Sequence, residues 1–374
     1  MPERDDKRLR ILMAGGGTGG HLFPALAIAG GLRHMDDQSD IRFIGSRFGL
    51  EARVLPEENE IFYPLNIRGI QRGLSPVAIT RNILFPWRMA RSFFRCHAII
   101  RQFRPHVVVG TGGYAAGVPL LVAQQRGIPT LLHEQNSYPG ITTRRLAKRA
   151  TLICLTYESS ARFIPSDDWT VTGNPVRFSR DIPGRQAARK RLGLPARRQV
   201  LFILGGSQGS RPLNRHFLKH WRIYTEDMGA HLLWQTGPRD IERISKAVAD
   251  DKKVTLVPFI HDMAAAYIAA DLVVCRAGAS TIAEIICTGR PSVLVPLPSA
   301  AADHQTQNAM ALVKHNSARL VTQSSLPDGA MEKTVKQLIR YPDRLRAMRK
   351  RVQSLAQPDA TTIIVNHILR MAEA

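Results

Sequence analysis

The chain has 374 residues, enough for two domains that each bury a core of their own. Its 52 lysines and arginines outnumber 30 acidic residues, for a net charge of +22, so its expected partners are anionic: nucleic acid, anionic lipid or a phosphorylated substrate. No run approaches the roughly 20 apolar residues of a membrane span. The charged stretch Met1 to Arg10 leads straight into a strand, so no signal peptide is expected. Cys96, Cys154, Cys275 and Cys287 have neither metal-ligand nor disulfide-framework spacing, which suits a reducing cytoplasm without disulfides or structural zinc.

Arg10 to Ala14 reads as a short buried strand, followed by Gly15-Gly16-Gly17-Thr18-Gly19-Gly20-His21 and an alanine-rich helix to about His34. Five glycines let a ligand approach the backbone closely and leave Thr18 and His21 as the functional side chains of the loop. Gly15, Gly17 and Gly20 formally match the dinucleotide fingerprint. The next strand, Ile41 to Ile44, ends in Gly45-Ser46-Arg47 with no acid to hold a ribose, so only an NADP reading through Arg47 stays open.

Between Arg68 and Arg104 stand eight arginines and no acid, mixed with Ile70, Leu74, Ile79, Ile83, Leu84, Phe85, Trp87, Phe93 and Phe94. Helical period with mixed aromatic and cationic residues, including Arg81 and Arg88, is the pattern of a segment lying on an anionic membrane surface. The plainer alternative is a solvated basic helix packed by its other face.

Val107 to Val109 runs into Gly110-Thr111-Gly112-Gly113-Tyr114, and Thr130 to Leu132 into His133-Glu134-Gln135-Asn136. Open α/β sheets place their ligands at such carboxyl ends of buried strands. Strands near Leu152 to Cys154 and Trp169 to Val171 precede Gly173-Asn174-Pro175-Val176-Arg177, a Gly/Pro turn read as the domain boundary. The expected division is residues 1–175, residues 176–359, and a terminal helix of about 360–374 that packs back on the first domain.

The second half repeats the plan. Val200 to Leu204 leads into Gly205-Gly206-Ser207-Gln208-Gly209-Ser210, and strands near His231 to Trp234, Val254 to Val257 and Leu272 to Cys275 alternate with helical stretches. Arg276-Ala277-Gly278 then turns into a helix whose start, Ala279, Ser280, Thr281, Ile282 and Ala283, offers free N–H groups to an anion such as phosphate. Glu284, one turn further in, suits two vicinal hydroxyls of a ribose. Ser292 to Val295 ends in a loop bearing Asp303, His304, Gln305 and Asn308. An ordinary helix start and an ordinary cap explain this segment alone equally well. The expected fold is α/β, two doubly wound parallel-sheet (Rossmann-like) domains facing a cleft.

G-G-G-T-G-G-H at Gly15, G-G-Y at Gly112, H-E-Q-N at His133, G-N-P-V-R at Gly173, G-G-S-Q-G at Gly205, E-I-I-C-T-G-R-P-S at Glu284 and D-H-Q-T-Q-N at Asp303 occur in that order. Together they resemble the MurG family of N-acetylglucosaminyltransferases of peptidoglycan synthesis, with the GT-B fold, over about residues 10 to 310. The resemblance implies transfer of GlcNAc from UDP-GlcNAc to the C4 hydroxyl of MurNAc-pentapeptide on undecaprenyl diphosphate, with inversion. It implies a peripheral enzyme of the cytoplasmic face of a bacterial inner membrane, partners among cell-wall synthesis and division proteins, no nucleic acid and no required cofactor; a divalent cation is not indicated by the sequence, and whether one assists stays open.

The same resemblance implies residue roles. Ile260 meets the uracil edge through its backbone, Glu284 the ribose, Ser207 and the Ala279 to Ala283 turn the diphosphate, and Gln305, with Asn308 nearby, the sugar. Arg177, Asn136 and Thr18-Gly19-Gly20 close on the donor. Gly16, Gly17, His21, Gly113 and Tyr114 face the acceptor, and the Arg68 to Arg104 segment docks on the membrane. Inversion needs one base for the acceptor hydroxyl and fixed positive dipoles for the leaving diphosphate. His21 is the first candidate base, since histidine titrates near neutral pH; Glu134 and His133 are rivals, and a histidine that merely braces its own loop is the plain alternative. Ala115-Ala116-Gly117 lacks the serine the family usually shows after G-G-Y.

Other readings are a glycolipid synthase or UDP-sugar epimerase of the same fold, against which H-E-Q-N and G-N-P-V-R argue, an NADP oxidoreductase, and a non-enzymatic basic RNA- or lipid-binding protein. The last accounts for the charge but not for the glycine loops.

Overall fold

The computed structural model describes residues 8–68, 85–177, 182–249, 251–300, 303–356 and 360–373. The chain forms two compact units, Met1–Arg177 with Pro358–Ala374, and Phe178–Gln357.

In the first unit the order is β1 (Arg10–Ala14), α1 (Gly19–Met35), β2 (Asp40–Ser46), α2 (Glu51–Glu57), β3 (Phe62–Leu65), α3 (Phe85–Phe103), β4 (Val107–Gly110), α4 (Tyr114–Gln125), β5 (Thr130–Glu134), α5 (Ile141–Leu146), β6 (Leu152–Leu155) and β7 (Trp169–Val171). The second unit runs α6 (Arg185–Arg191), β8 (Val200–Leu204), α7 (Arg211–Arg222), β9 (His231–Gln235), α8 (Ile241–Val248), β10 (Val254–Val257), α9 (Met263–Ala269), β11 (Leu272–Cys275), α10 (Ala279–Thr288), β12 (Ser292–Leu294), α11 (His304–Val313), β13 (Ala318–Leu320), α12 (Ala330–Ile339) and α13 (Pro342–Gln353). Helix α14 (Ala360–Glu373) returns to the first unit.

Every strand pairs in parallel, in the orders β3-β2-β1-β4-β5-β6-β7 and β10-β9-β8-β11-β12-β13. Central strands such as Val107–Gly110, Val200–Leu204 and Leu272–Cys275 are buried along their whole length, the continuous apolar run of a sheet covered on both faces. The two strands the pattern does not reveal, β3 and β13, are edge strands: β3 contains Pro64, tolerated only at an edge, and β13 has three residues.

In each sheet the direction of winding reverses beside the first strand, between β1 and β4 and between β8 and β11. Loops leaving the carboxyl ends of those neighbours diverge and open a crevice for ligand. The Gly15 and Thr111 loops occupy one such point, and the Gly205 and Arg276 loops the other.

Helix α14 lays Ile364, Val365 and Ile368 into the core formed with Leu22, Ile28 and Leu32 of α1. The approach requires Gly31, where a Cβ would come within 2.6 Å of Thr361 Cγ2. All four cysteines are free thiols, three of them buried.

Candidate active site

In the first unit, the glycine loop is shaped from below by a residue the sequence reading passed over. Glu51 opens α2 and is fully buried. Its carboxylate accepts from the Gly17 amide at 2.7 Å and the Ser46 amide at 2.9 Å. A Cβ at Gly16 or Gly49 would strike that carboxylate, at 2.3 and 2.2 Å, and one at Gly45 would crowd the same side chain, 3.2 Å from its Cγ. The carboxylate thus occupies the space beneath Gly16, which leaves the first-turn amides of α1, at Gly19 and Gly20, to meet an anion. Gly17 has φ +86°, and a Cβ there would meet the Tyr114 ring at 2.9 Å.

His21, in the first turn of α1, is gripped from the neighbouring strand. Thr111 Oγ1 donates to the His21 carbonyl at 2.7 Å, while His21 Nδ1 lies 3.1 Å from the Thr111 carbonyl and 3.3 Å from Gln135 Oε1. Both neighbours of Nδ1 are acceptors, so Nδ1 carries a proton and the ring presents Nε2 to the loop. Room for the ring comes from Gly112 and Gly113, at φ +93° and +77°; a Cβ on Gly113 would lie 2.4 Å from the Gly16 carbonyl.

His133 is buried, with Nε2 at 3.1 Å from the Gly173 carbonyl and Nδ1 at 3.2 Å from Gln135 Nε2. Burial pushes its pKa down to about 4, so the ring is neutral and both nitrogens are engaged. Glu134 is also buried and accepts from the Asn136 amide, Asn136 Nδ2, the Gly140 amide and Thr143 Oγ1 between 2.7 and 3.1 Å. Of the three rivals, His21 alone keeps a nitrogen unengaged by protein partners among the described residues. Arg177 donates to both carboxylate oxygens of Glu58 at 2.9 Å, and its guanidinium lies 5.8 Å from the Phe23 ring centroid. Ala115 and Ala116 are fully buried, so the absent serine leaves packing rather than a polar gap. Arg47 rests over the Phe48 ring at 5.3 Å.

Helix α3 turns Ser92, Cys96 and Ile100 inward and leaves Trp87, Arg91, Phe94 and Arg95 outward. Trp87 is 73% and Phe94 71% exposed. Ile79, Arg81, Ile83 and Leu84 lie outside the described residues, as does the side chain of Phe85. No helix among the described residues is long and apolar enough to cross a membrane.

In the second unit, the Gly205 to Ser210 loop turns through Gly206 at φ +88° and Gly209 at φ +74°. Gln235 ties this loop to the next: its Nε2 donates to the Gly206 carbonyl at 3.1 Å, and its Oε1 accepts from the Ile260 amide at 2.9 Å. Buried Arg276 donates to Ser210 Oγ at 2.9 Å, to the Val295 and Pro296 carbonyls at 3.1 Å, and to Gln323 Oε1 at 2.6 Å. Helix α10 starts at Gly278 without a side-chain cap, and the buried Ser280 hydroxyl has no hydrogen-bond partner among the described residues. Such a helix start, with a hydroxyl left over, can take a phosphate.

Fully buried Tyr267 donates to Glu284 Oε2 at 2.8 Å. Gln305 Oε1 accepts from the Leu297 amide at 3.0 Å, while Asn308 is fully buried with Nδ2 at 3.5 Å from the Ala277 carbonyl. Asn308 therefore braces the turn from behind. The bracing roles of Glu51, Gln135, Gln235, Tyr267 and Arg276 escaped the sequence reading because each acts on a segment outside its own local stretch of chain.

Residues 11–154 match the Glycosyltransferase family 28 N-terminal domain and residues 200–363 its C-terminal domain. A protein of Chlorobium phaeobacteroides named UDP-N-acetylglucosamine–N-acetylmuramyl-(pentapeptide) pyrophosphoryl-undecaprenol N-acetylglucosamine transferase is 41% identical over 98% of this chain and 100% of its own length. A Bacteroides thetaiotaomicron protein of the same name is 37% identical over 99% of each chain. The chain belongs to the MurG family. The crystal structure of Acinetobacter baumannii MurG superposes with TM-score 0.73 at 30% identity, covering 97% of this chain and 99% of that one. A UDP-GlcNAc 2-epimerase from Neisseria meningitidis shares the fold, with TM-score 0.61 at 16% identity over 97% and 100% of the two chains. MurG membership also disposes of the NADP reading of Gly15, Gly17, Gly20 and Arg47.

Proposed function

We propose that this chain transfers GlcNAc from UDP-GlcNAc to the C4 hydroxyl of MurNAc-pentapeptide on undecaprenyl diphosphate, inverting the anomeric carbon. The observation that carries the reading is the orientation of His21, whose Nδ1 is held on the Thr111 carbonyl so that Nε2 is left without a protein partner among the described residues beside a glycine loop, in a chain whose relatives are named as N-acetylglucosamine transferases.

In the proposed step, His21 Nε2 takes the proton of the acceptor hydroxyl as its oxygen bonds to the anomeric carbon. The bond from that carbon to the diphosphate breaks, and UDP leaves with the electron pair. Backbone amides at the starts of α7 and α10, with Ser207 and Ser280, stabilise the departing charge. Glu284, aimed by Tyr267, takes the ribose hydroxyls, and the Ile260 backbone the uracil. Gln305 takes the sugar hydroxyls. The first unit supplies acceptor recognition through Gly16, Gly17, Gly113 and Tyr114, and the second holds the donor. Arg177, Asn136 and Thr18 to Gly20 are the first unit's groups for the donor.

The exposed stripe of Trp87, Arg91, Phe94 and Arg95 supports peripheral docking on an anionic membrane surface, where the lipid-linked acceptor resides. The deciding experiment is transfer of labelled GlcNAc from UDP-GlcNAc to a short-chain analogue of the lipid-linked muramyl pentapeptide. Robust transfer supports the reading; UDP binding without transfer would leave the donor half and refute the acceptor.

A further inference from the structure

Away from both glycine loops, α7 carries His216 and His220 one turn apart, and α12 sets Glu332 against them. His216 Nε2 lies 3.6 Å and His220 Nδ1 3.2 Å from the same oxygen, Glu332 Oε1. The three potential ligand atoms lie within 4.8 Å of one another, and the two imidazoles are stacked at 5.0 Å between centroids. Ligands about 2.0–2.2 Å from a tetrahedral zinc ion stand roughly 3.3–3.6 Å apart. The 3.6 Å separation has that length and the 3.2 Å one is just short of it.

The carboxylate supplies a second, independent observation. Glu332 Oε2 is buried and has no hydrogen-bond partner among the described residues, where a buried carboxylate oxygen ordinarily has one. The Tyr224 hydroxyl stands 2.9 Å from His216 Nε2.

We infer that His216, His220 and Glu332 form a site for one divalent transition ion of the zinc class, which clamps α7 to α12. Two imidazoles and one carboxylate suit zinc better than magnesium or calcium, which take all-oxygen shells. The fourth position is left to water. As the ion takes the Nε2 lone pair, the Tyr224 hydroxyl is released. The cations of the same helix, Arg211, Arg215, Lys219 and Arg222, are exposed, whereas His216 is buried. The clamp joins two helices that already share a core of Leu213, Phe217, Met331 and Val335. The carboxylate lies more than a hundred residues beyond the histidine pair, so no local spacing announces the full set.

The competing explanation is an ion pair between a protonated histidine and Glu332. The two are separated with the untagged full-length chain, stripped by chelator and titrated with zinc chloride by calorimetry, alongside His220→Ala and Glu332→Gln. Circular dichroism establishes that each variant is folded; His220 is partly exposed, so its truncation is tolerated. The expected result is one more zinc ion per wild-type chain than in either variant, with affinity at that site reduced at least about tenfold in His220→Ala. Zinc should also raise the melting temperature of the wild type alone, and X-ray absorption should show two nitrogen ligands and carboxylate oxygen. Equal stoichiometry and affinity in wild type and folded His220→Ala would overturn the proposal, as would no zinc binding by the wild type at micromolar concentrations.

Discussion

His21 Nδ1 lies 3.1 Å from the carbonyl oxygen of Thr111, and the Thr111 hydroxyl returns a hydrogen bond to the His21 carbonyl. The pair fixes the ring's tautomer and its direction from a neighbouring strand, which is how a base is held ready without a carboxylate partner. His21→Ala should lower kcat by about 10²–10⁴-fold while leaving UDP binding unchanged, a proton-transfer loss rather than a binding loss. Gln135→Leu keeps the volume but removes the bridge between Thr111, His21 and His133, and should give a smaller fall in kcat with unchanged donor KM. Equal damage to kcat and UDP affinity in His21→Ala would reject the base assignment.

Glu51→Ala strips the Gly17 and Ser46 amides of their shared acceptor. A buried N–H left without a partner costs about 1–3 kcal/mol. Calorimetry should therefore show the first unit melting several degrees lower, with UDP binding reduced only modestly because the second unit holds most of the donor.

Tyr267→Phe removes the donor that aims Glu284 and leaves the ring's packing. A hydrogen bond to a carboxylate contributes about 1.5–3 kcal/mol, so donor KM should rise by about tenfold or more with kcat nearly constant. Discrimination between UDP-GlcNAc and its 2′-deoxyribose analogue should narrow in parallel. An unchanged KM would reject Tyr267 as the group that aims Glu284.

The depressed pKa of His133, about 4 against an unfolded value near 6.5, makes stability depend on pH. Between those values the unfolded chain binds a proton that the folded chain refuses. Stability is therefore fully present above about pH 6.5 and is lost as pH falls towards 4, by an amount on the order of a few kcal/mol. Denaturant unfolding of His133→Gln should lose that part of the acid sensitivity; an identical pH profile would show that another group sets it.

Trp87→Ser with Phe94→Ser removes the two most exposed large apolar residues of the described chain. Sedimentation with anionic vesicles should fall by about tenfold, while transfer to a soluble short-chain acceptor should persist. Equal losses in both assays would point to misfolding instead of docking.

The glycine loops, the alternation of strands and helices and the placement of His21, Ser280 and Glu284 in the first two turns of the helices that follow buried strands are local properties, so they were legible in the chain. Edge strands β3 and β13 were not, because an edge strand needs neither length nor a continuous apolar run. Glu134 and His133 looked like base candidates beside His21 because sequence gives residue type without burial. Only the fold shows Glu134 engaged by four donors and His133 neutral with both nitrogens occupied.

By itself the sequence determined the α/β class, the two glycine-loop halves and the family, since backbone freedom and hydrophobic period are written into consecutive residues. Tertiary structure alone decided which side chains press on those loops: Glu51 under Gly17, Gln235 between Gly206 and Ile260, and Arg276 across three segments. The reason is physical. Parallel sheets bring strand ends together through long crossovers, so hydrogen-bond partners lie tens of residues apart, and no local pattern can name them.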